Sequence, residues 1–555
     1  MNRRNFLKST LYSAAGVMLS EPLFALIDGK KESLNLPDKI SALIDGKEFS
    51  IPSTGIGSWR MGDVELNLSN NGKAITVFII APGVKLSNVT LSWKTKRNEA
   101  AKVLNDQWER TYGDVSWHTS DESEILPWYF LEYDGKNTNA FGVKTGAAAF
   151  CFWKISNDKI SLCLDTRSGT SGVKLGSREL KAAEIVSMKS DNGESPFAAA
   201  RKFMKLMCDK SRLPKEPVYG INDWYFSYGK NSAKLIMEHT NLIAPLADGL
   251  SNRPFSVIDA GWYKGRPSNP DDLADFGNDM ATPNEKFGDM LKLAREIKSA
   301  GMRPGLWTRP LCASYKDADW LLMPLSRGES KPILDPSIPE NLERVRNYFK
   351  LYNDWGYELV KFDFTSFDIF GKWGISMLKD REMCEGEWTM YDQSKTNAEI
   401  VLTLYNTIRE AAGSIYIIGC NTFSHLSAGL FELSRTGDDT SGREWGRTLK
   451  MGVNTLAFRG IHHNIFYASD ADCVGLTNLV PWDKNKQWME LIAESGTPLF
   501  ISAQPDAVGT EQKSFIKECF KTASGKLPVG EPIDWIENPL PSTWKLNGKI
   551  RKFDW

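Results

Sequence analysis

Between residues 217 and 510 the chain alternates short strand patterns with amphipathic helical patterns. Eight segments rich in β-branched and aromatic residues read as strands, and helical patterns separate them. Three of these helical patterns end on Gly301, Gly356 or Gly413, and glycine is the residue expected just after a helix C-terminus. Eight strands alternating with helices over roughly 290 residues match a (β/α)8 barrel in number and size. The sequence therefore predicts an α/β protein whose largest domain, residues 217–510, is a TIM barrel.

Polar and aromatic side chains occupy the C-terminal ends of the predicted barrel strands. In a TIM barrel those ends converge on one face, which carries the active site. The fourth strand pattern, ELVKFDFTSFD, places Lys361 and Asp363 two residues apart, so both side chains point to the same side of the strand. The residues expected at this face are Asp259, Trp307, Lys361, Asp363, Cys420, Asn421, Asp439 and Asp470.

The segments that flank the barrel predict smaller units. Residues 34–195 contain many short alternating segments separated by Gly, Asn and Asp, a pattern typical of a β-sandwich. Residues 196–216 begin with the stretch PFAAARKFMKLM and are interpreted as a helical linker into the barrel. Residues 511–555 have room for a few strands packed on the barrel, and we predict a short C-terminal β region there.

The first 25 residues have the layout of an export signal. Arg3 and Arg4 precede Phe6, Leu7 and Lys8, and a mildly apolar stretch follows. This order resembles a bacterial signal peptide of the twin-arginine type. The prediction is a periplasmic or secreted protein, and the alternative is an amphipathic N-terminal helix of a cytosolic one. Beyond this segment no apolar run approaches the roughly 18 residues that span a bilayer, so no membrane partner is expected.

Composition and charge exclude several classes of partner. The formal net charge is −1, from 68 Lys and Arg against 69 Asp and Glu, so the chain lacks the basic footprint of a nucleic-acid-binding protein. The eight cysteines show no CxxC spacing, and His462-His463 is an isolated pair. We therefore predict no metal and no cofactor. A homo-oligomer is possible, although nothing in the sequence demonstrates one.

Several carboxylates at the mouth of a barrel, without a metal cluster or a phosphate loop, favour glycoside chemistry and a carbohydrate partner. Two carboxyl groups roughly 5 Å apart give retention through a covalent glycosyl-enzyme. Asp363 is the candidate nucleophile because Lys361 would favour its ionised form; a buried structural Lys–Asp pair is the alternative. Asp438 and Asp439 oppose each other's ionisation, so one of them could hold a proton and act as general acid. Such a pair is also common in turns and helix caps.

Five segments of the barrel region, taken in order, resemble glycoside hydrolase family 36, the α-galactosidase-like enzymes of clan D. Residues 333–364 are similar to the segment that enters the family's nucleophile strand. Residues 417–440 resemble its Gly-Cys strand followed by its Arg-x-Gly-x-Asp-Thr acid/base motif. NIFYASDADC, GMRPGLWTRP and VIDAGWYKG resemble its Asn-Asp-Pro-Asp-Cys, Gly-Leu-Trp and Asp-Asp-Gly-Trp strands. The family also carries an upstream β-sandwich.

The resemblance implies a retaining exo-α-glycosidase that removes terminal α-linked sugars from oligo- or polysaccharides. Asp363 would be its nucleophile, and the register of the Arg-x-Gly-x-Asp motif assigns the acid/base to Asp439 rather than Asp438.

The same resemblance implies which residues would bind the sugar. Lys361 and Arg435 would bind hydroxyl groups, Trp307 would pack against the ring, and Asp259 would hold the hydroxyls at C4 and C6. Two further residues would lie near the 2-position of the sugar: Cys420 and Asn421.

Two departures from the family pattern leave the substrate open. Asp259-Ala260 stands where the family has Asp-Asp, and a site that loses a hydroxyl reader discriminates less strongly. A 6-deoxy sugar, a pentopyranose such as L-arabinopyranose, or an N-acetylated sugar are therefore alternatives to galactose. PLCASYKD (residues 310–317) replaces an acidic stretch of the family. A transglycosylase with the same carboxylates and a non-catalytic carbohydrate-binding protein are the competing functions; the presence of both Asp363 and Asp439 argues against the latter.

Overall fold

The computed structural model describes residues 24–27, 31–264, 279–313, 320–322, 332–384 and 386–555. The predicted signal peptide, residues 1–25, lies outside these ranges except for its last two residues. The second half of PLCASYKD, residues 314–317, also lies outside them.

A parallel sheet of nine strands forms the centre of residues 217–510. Every neighbouring pair in this sheet is parallel, and helices connect most strands to the next, as a TIM barrel requires. In chain order the strands are Tyr219–Asn222, Phe255–Ile258, Arg303–Thr308, Leu359–Phe362, Tyr416–Gly419, Leu433–Arg435, Ala468–Asp470, Cys473–Leu476 and Leu499–Ala503.

The two edges of this sheet are consecutive in the chain. Ala468–Asp470 pairs with the sixth strand at one edge, and Cys473–Leu476 pairs with Leu499–Ala503 at the other. Only two residues join these edge segments, and Asp472 adopts a positive φ of 69° at the bend. Because two residues reach only about 7 Å, the sheet must curl until its edges meet. We therefore treat the two segments as one bent seventh strand, which makes Leu499–Ala503 the eighth.

The helices around the sheet follow the predicted pattern. Asn397–Ala412 starts with a capping box between Thr396 and Glu399 and ends at Gly413. The predicted glycines Gly301 and Gly356 also follow helix ends, with φ of 90° and 84°.

No helix in the described ranges is long and apolar enough to span a membrane. The α-helices of this region are Trp224–Ser227, Ala233–Ile243, Met290–Ser299, Pro339–Asp354, Thr365–Phe370, Gly374–Asp380, Asn397–Ala412, Ser424–Ser427, Trp445–Thr448, Thr455–Arg459 and Trp482–Ser495.

Two of the eight predicted barrel strands, YGINDWYFS (residues 219–227) and HHNIFYASD (residues 462–470), were too long. The first strand ends at Asn222, and a helix starts at Trp224. The segment before the seventh strand is a 3-10 helix, Gly460–His462, followed by a tight turn in which backbone N–H groups of Ile465 and Phe466 donate to the carbonyl of His462. These local hydrogen bonds replace the strand-to-strand hydrogen bonds that the apolar residues of this segment had predicted.

Two antiparallel sheets form the N-terminal region and are consistent with a β-sandwich. Trp153 of the smaller sheet packs against Phe130 and Phe141 of the larger one, with ring centroids 5.7 and 6.2 Å apart, so the sheets share a core. In sheet order the larger contains His118–Thr119, Lys102–Asn105, Tyr129–Tyr133, Thr138–Val143, Leu180–Lys189, Ile75–Ile80, Val64–Asn70, Ser58–Met61 and Ser53–Gly55; the smaller contains Leu126–Pro127, Phe150–Ile155, Lys159–Asp165, Leu86–Lys94, Lys39–Ile44 and Lys47–Ile51.

The segment interpreted as a linker contains the helix Pro196–Met207, which contacts both regions. Phe203 lies against Tyr129 of the larger antiparallel sheet, with ring centroids 6.5 Å apart. Arg201 donates hydrogen bonds to backbone carbonyls of Gly460 and His463 in the barrel region. The helix is thus a packed element between the two regions.

The C-terminal prediction was wrong at its start. Thr510–Ala523 is a helix rather than the beginning of a β region. Its buried residues recur at helical spacing, and Phe520 packs against Tyr219 of the first barrel strand, with ring centroids 5.0 Å apart. This periodicity was overlooked because the segment follows the last strand. A small sheet comes only afterwards, with strands Glu531–Pro532, Thr543–Leu546 and Lys549–Lys552. The other domain boundaries stay predictions.

Candidate active site

Asp363 stands directly after the fourth barrel strand, with its carboxylate partly exposed. Its backbone N–H donates to the carbonyl of Thr308 on the third strand, which fixes the end of the fourth strand. The side chain accepts one hydrogen bond from the backbone N–H of Phe364 at 2.8 Å and another from the indole N–H of Trp307 at 3.2 Å. Both carboxylate oxygens are therefore held in place by neutral donors while the group stays open to a ligand.

Phe364 turns the chain sharply after Asp363. Its φ of 66° lies in the left-handed region, which is unusual for a bulky aromatic residue. The helix Thr365–Phe370 begins immediately after it. Such backbone strain concentrates at functional sites, and here it fixes the orientation of the carboxylate that the sequence placed at the mouth of the barrel.

The ion-pair partner of Lys361 is Asp259 and not Asp363. Lys361 Nζ lies 2.9 Å from Asp259 Oδ2, and both side chains are buried. Burial disfavours the ammonium, but Asp259 and then Cys420 and Asp439 outweigh it, so the pKa of Lys361 is raised well above its ordinary value. The expectation that Lys361 pairs with Asp363 failed because a long lysine side chain reaches the second strand, two strands away in the sheet.

Asp259 is surrounded by donors. Asn222 donates to its Oδ2 at 2.7 Å, and the backbone N–H of Ala260 donates to its Oδ1 at 2.8 Å. The backbone N–H of Asp259 in turn donates to Asp223, whose pKa is raised to about 6 by burial and by the nearby charge of Asp259. The methyl group of Ala260 stands where the family has a second carboxylate.

Arg435 connects the fifth, sixth and seventh strands beneath the mouth of the barrel. Its side chain is 1% exposed and lies 2.7 Å from Asp472. It also donates to Cys420 Sγ at 3.4 Å and to Asp439 Oδ1 at 3.4 Å. Cys420 is buried, which together with the charge of Asp363 raises the pKa of its thiol well above its ordinary value. The predicted residues Arg435, Cys420 and Asp439 are therefore in direct contact.

Asp438 and Asp439 have different environments. Arg110 and Arg447 bind Asp438 at 2.6 and 2.9 Å, which makes it a structural ion-pair residue. The side chain of Asp439 is 35% exposed. Burial raises its pKa, but the charges of Arg435, Lys361, Arg110 and Arg447 outweigh that effect and lower the pKa to about 2.

Arginine side chains thus bind both adjacent carboxylates, and the pKa of Asp439 is lowered rather than raised as a general acid would require. A raised carboxyl pKa occurs instead at Asp470, which ends the first part of the seventh strand. Burial, with a further contribution from Asp472, raises the pKa of Asp470 to about 6 although Arg435 opposes the shift.

Asn421 does not join the other predicted site residues. Its side chain is fully buried, and its amide donates to Glu109 at 2.8 Å. Its carbonyl oxygen accepts a hydrogen bond from the backbone N–H of Phe367 at 3.4 Å. Both ends of the amide are therefore engaged within the protein, and the geometry argues against its predicted position near a sugar 2-hydroxyl.

Sequence reasoning missed a segment of the N-terminal region, residues 106–113, which we call the inserted loop. Thr111 forms a backbone bridge with Gly437, directly before Asp438, and its N–H donates to the carbonyl of Thr436 at 3.0 Å. Arg110 of the same loop reaches Asp438 and Cys420. In the sequence this loop is visible only as the charged run DQWERTYGD within a region of otherwise alternating strands. Nothing in that run indicates that it contacts residues more than 300 positions away.

Glu109 anchors the inserted loop inside the barrel region. It is fully buried and accepts hydrogen bonds from Ser366, Asn421, Tyr112 and the backbone N–H of Gly374. Burial raises the pKa of its carboxyl group although Arg110 and these donors oppose the shift.

Replacing Glu109 by alanine is expected to lower the free energy of unfolding by about 3 kcal/mol or more, because four buried donors would lose their acceptor. Urea unfolding of purified protein measures this change. The matched control is Glu122→Ala, an exposed glutamate of the same region, for which a change within about 0.5 kcal/mol is expected. Equal midpoints for both variants would show that the anchor contributes nothing.

The described residues contain no group of three or more His, Cys, Asp or Glu side chains placed to hold a metal ion. All eight cysteines are free and buried. The candidate site therefore consists of carboxylates, buried cations and aromatic rings, a set that can bind hydroxyl groups and stabilise a developing positive charge.

Solved structures with a similar fold include an α-galactosidase from Thermus thermophilus and a family 36 α-galactosidase from Geobacillus stearothermophilus. The Thermus enzyme, bound to p-nitrophenyl α-D-galactopyranoside, superposes with a TM-score of 0.59 at 16% identity over 94% of this chain and 99% of that one. The Geobacillus enzyme AgaA gives 0.57 at 14% identity over 92% of this chain and 72% of that one.

Sequence comparison gives a shorter match. The α-galactosidase of Escherichia coli is 29% identical over 170 residues, which cover 27% of this chain and 22% of that protein's length. No family model matches the chain. The resemblance to the family 36 α-galactosidases that the motifs indicated is thus confirmed in the fold, with low overall identity.

Proposed function

We propose that the protein is a retaining exo-α-glycosidase of the α-galactosidase type, with Asp363 as nucleophile and Asp439 as acid/base. The observation that carries the proposal is that two partly exposed carboxylates, those of Asp363 and Asp439, lie at the C-terminal ends of barrel strands. Asp363 is oriented by Trp307 and by the backbone of Phe364, and Asp439 is held by Arg435. A known relative in fold binds p-nitrophenyl α-D-galactopyranoside and another complex of that enzyme contains stachyose, which supports a carbohydrate substrate.

The reaction would proceed in two displacements. In the first, a carboxylate oxygen of Asp363 bonds to the anomeric carbon, the bond to the leaving-group oxygen breaks, and Asp439 gives that oxygen its proton. In the second, Asp439 takes a proton from water, the water oxygen bonds to the anomeric carbon, and the bond to Asp363 breaks. The sugar leaves with its original α configuration.

The charge of Asp439 in the unliganded protein suits the second displacement better than the first. With its pKa lowered to about 2, Asp439 is ionised at neutral pH and can act as a base. For the first displacement it must gain a proton. A bound sugar would exclude water from the mouth of the barrel and disfavour the charged form, which raises a carboxyl pKa.

Lys361, Asp259 and Asn222 form the polar floor that would bind sugar hydroxyls. Lys361 Nζ carries three N–H donors, of which Asp259 receives one. Ala260 contributes no carboxylate, so Asp259 alone would accept from the hydroxyls at C4 and C6. We propose galactose as the bound sugar; N-acetylgalactosamine and L-arabinopyranose are the alternatives that this smaller set of acceptors permits.

Hydrolysis of nitrophenyl glycosides tests the proposal. The panel contains the α-galactoside, α-N-acetylgalactosaminide, β-L-arabinopyranoside, α-glucoside and α-fucoside. We expect the α-galactoside to be cleaved fastest and proton NMR to show α-galactose as the first product. A β product would contradict the retaining mechanism. No turnover of any glycoside, together with retained sugar binding, would favour the non-catalytic carbohydrate-binding alternative.

Removing Arg447 is expected to shift the pH dependence of activity. Arg447 is one of four cations that lower the pKa of Asp439, so Arg447→Gln should raise that pKa. A general acid with a higher pKa stays protonated to higher pH, and the alkaline limb of the profile of kcat should move upward by a measurable fraction of a pH unit.

Arg443→Gln is the matched control for this prediction. Arg443 is four residues before Arg447 but is exposed and lies over the ring of Tyr228, 3.9 Å from its centroid. Its removal should leave the alkaline limb in place. Identical profiles for wild type and Arg447→Gln would contradict the role of Asp439 as the titrating acid.

Export to the periplasm or the medium is a further proposal, based on Arg3, Arg4 and the apolar stretch that follows. Fractionation of cells that produce the full chain, compared with an Arg3→Lys, Arg4→Lys variant, tests it. A homo-oligomer and transglycosylation also stay open. Product analysis with added acceptor sugar distinguishes hydrolysis from transfer.

A further inference from the structure

Three partly exposed aromatic rings form a continuous surface beside Asp363. Trp373 stacks on Phe367 with centroids 4.5 Å apart and an interplanar angle of 24°. Phe364, whose backbone holds the Asp363 carboxylate, lies 5.6 Å from Trp373. We call these three residues the aromatic platform. None of them belongs to the residues that sequence reasoning assigned to the sugar site.

The inserted loop locates the aromatic platform relative to the second carboxylate. The guanidinium carbon of Arg110 lies 5.6 Å from the centroid of Trp373. The same guanidinium contacts Asp438 at 2.6 Å, and Asp439 is the next residue. Trp373 therefore has two neighbours in the candidate site. One is Phe364, which follows the candidate nucleophile Asp363, and the other is Arg110, which binds the residue before the candidate acid/base Asp439.

Arg110 is fixed by more than this one contact. It also donates to Cys420 Sγ at 3.5 Å, and Cys420 contacts Arg435. A cation within about 6 Å of an indole centroid is attracted to the ring and stabilises its position. Phe367 stacks on Trp373, and the side chain of Trp373 stays partly exposed.

We propose that the aromatic platform, with Trp373 at its centre, binds the leaving group of the substrate. The inference rests on the proposed function and assigns named residues to the leaving group, which would be a second pyranose or an aryl ring. A departing group must lie next to the acid/base carboxylate that protonates it, which is where Arg110 places Trp373. Pyranoses and aryl rings present flat apolar faces that pack on indole.

The test compares leaving groups that share one glycosyl unit. Wild type, Trp373→Ala and Trp373→Phe are assayed with melibiose, p-nitrophenyl α-galactoside and α-galactosyl fluoride, which has no leaving-group ring. For Trp373→Ala we expect kcat/KM to fall about tenfold to fiftyfold with the first two substrates. With the fluoride, kcat/KM should stay within about twofold. Trp373→Phe keeps an aromatic ring and should lose less than about fivefold on any substrate.

Trp482→Ala is the control, because Trp482 is a partly exposed tryptophan of a distant helix whose indole N–H donates to Glu511. It should behave as wild type with all three substrates. Equal losses with the fluoride and the ring-bearing substrates would overturn the inference, and so would no loss with any substrate. Lack of turnover of all three substrates by wild type overturns the proposed function itself, which is a distinguishable result.

Discussion

Replacing Asp363 by alanine is expected to reduce hydrolysis by a factor on the order of 10⁴ or more, because no other group can form the glycosyl-enzyme. Alanine also opens space where the carboxylate stood, so azide should restore part of the turnover. Azide would attack the anomeric carbon from the face that Asp363 uses, while the leaving group departs from the other. The expected product from a p-nitrophenyl α-glycoside is therefore the β-glycosyl azide.

Asp363→Asn separates this chemical role from a structural one. Asparagine keeps the volume and one acceptor oxygen, which can accept from the backbone N–H of Phe364 or from the indole N–H of Trp307, but its NH2 group cannot accept the other hydrogen bond. It should be as inactive as the alanine variant and should not respond to azide, because it leaves no space. Substantial activity in either variant, or formation of the α-azide from Asp363→Ala, would remove Asp363 from the nucleophile position.

The second large effect is expected at Asp439. Asp439→Asn should lower kcat/KM by about 10²-fold to 10⁴-fold for unactivated disaccharides, and far less for glycosyl fluorides that need no protonation. Azide should again accelerate turnover, but through the second displacement, and the product should be the α-glycosyl azide. The two variants are thus distinguished by the configuration of one product.

Asp470→Asn tests whether Asp470, rather than Asp439, is the proton donor. Asp470 has the higher pKa, about 6, and would be the natural proton donor if pKa alone decided. However, Asp470 is 4% exposed and lies beneath Arg435, whereas the side chain of Asp439 is 35% exposed at the mouth. We expect Asp470→Asn to lose activity equally with all leaving groups. A leaving-group dependence in this variant, and none in Asp439→Asn, would exchange their roles.

The sequence predicted the parts of the fold that depend on local pattern. Strand and helix periodicity located the parallel sheet, and glycines such as Gly356 marked helix ends, because these signals extend over a few residues only. The same local rule placed Asp363 at the end of the fourth strand. It failed at Thr510–Ala523, where a helical period was read as part of a β region.

The ion pairs of the site could not be predicted, because they depend on the reach of long side chains across the sheet. Lys361 and Asp259 are 102 positions apart, and Arg110 and Cys420 are 310 apart. Strand period gives the side to which Lys361 points but not the residue that its ammonium meets. Asn421 shows the converse: its position after the fifth strand was predicted, but its contact with Glu109 withdraws it from the site.

The backbone bridge between Thr111 and Gly437 joins the N-terminal region to the mouth of the barrel, so residues of both regions build the candidate site. A barrel separated from its N-terminal sheets would lack one of the two guanidinium groups that bind Asp438 and the carboxylate that accepts from Asn421. The two regions look like separate modules in the sequence, but residues of both build the site. A replacement for the N-terminal region would have to supply its own loop to complete the site, and the two regions are expected to unfold as one cooperative unit.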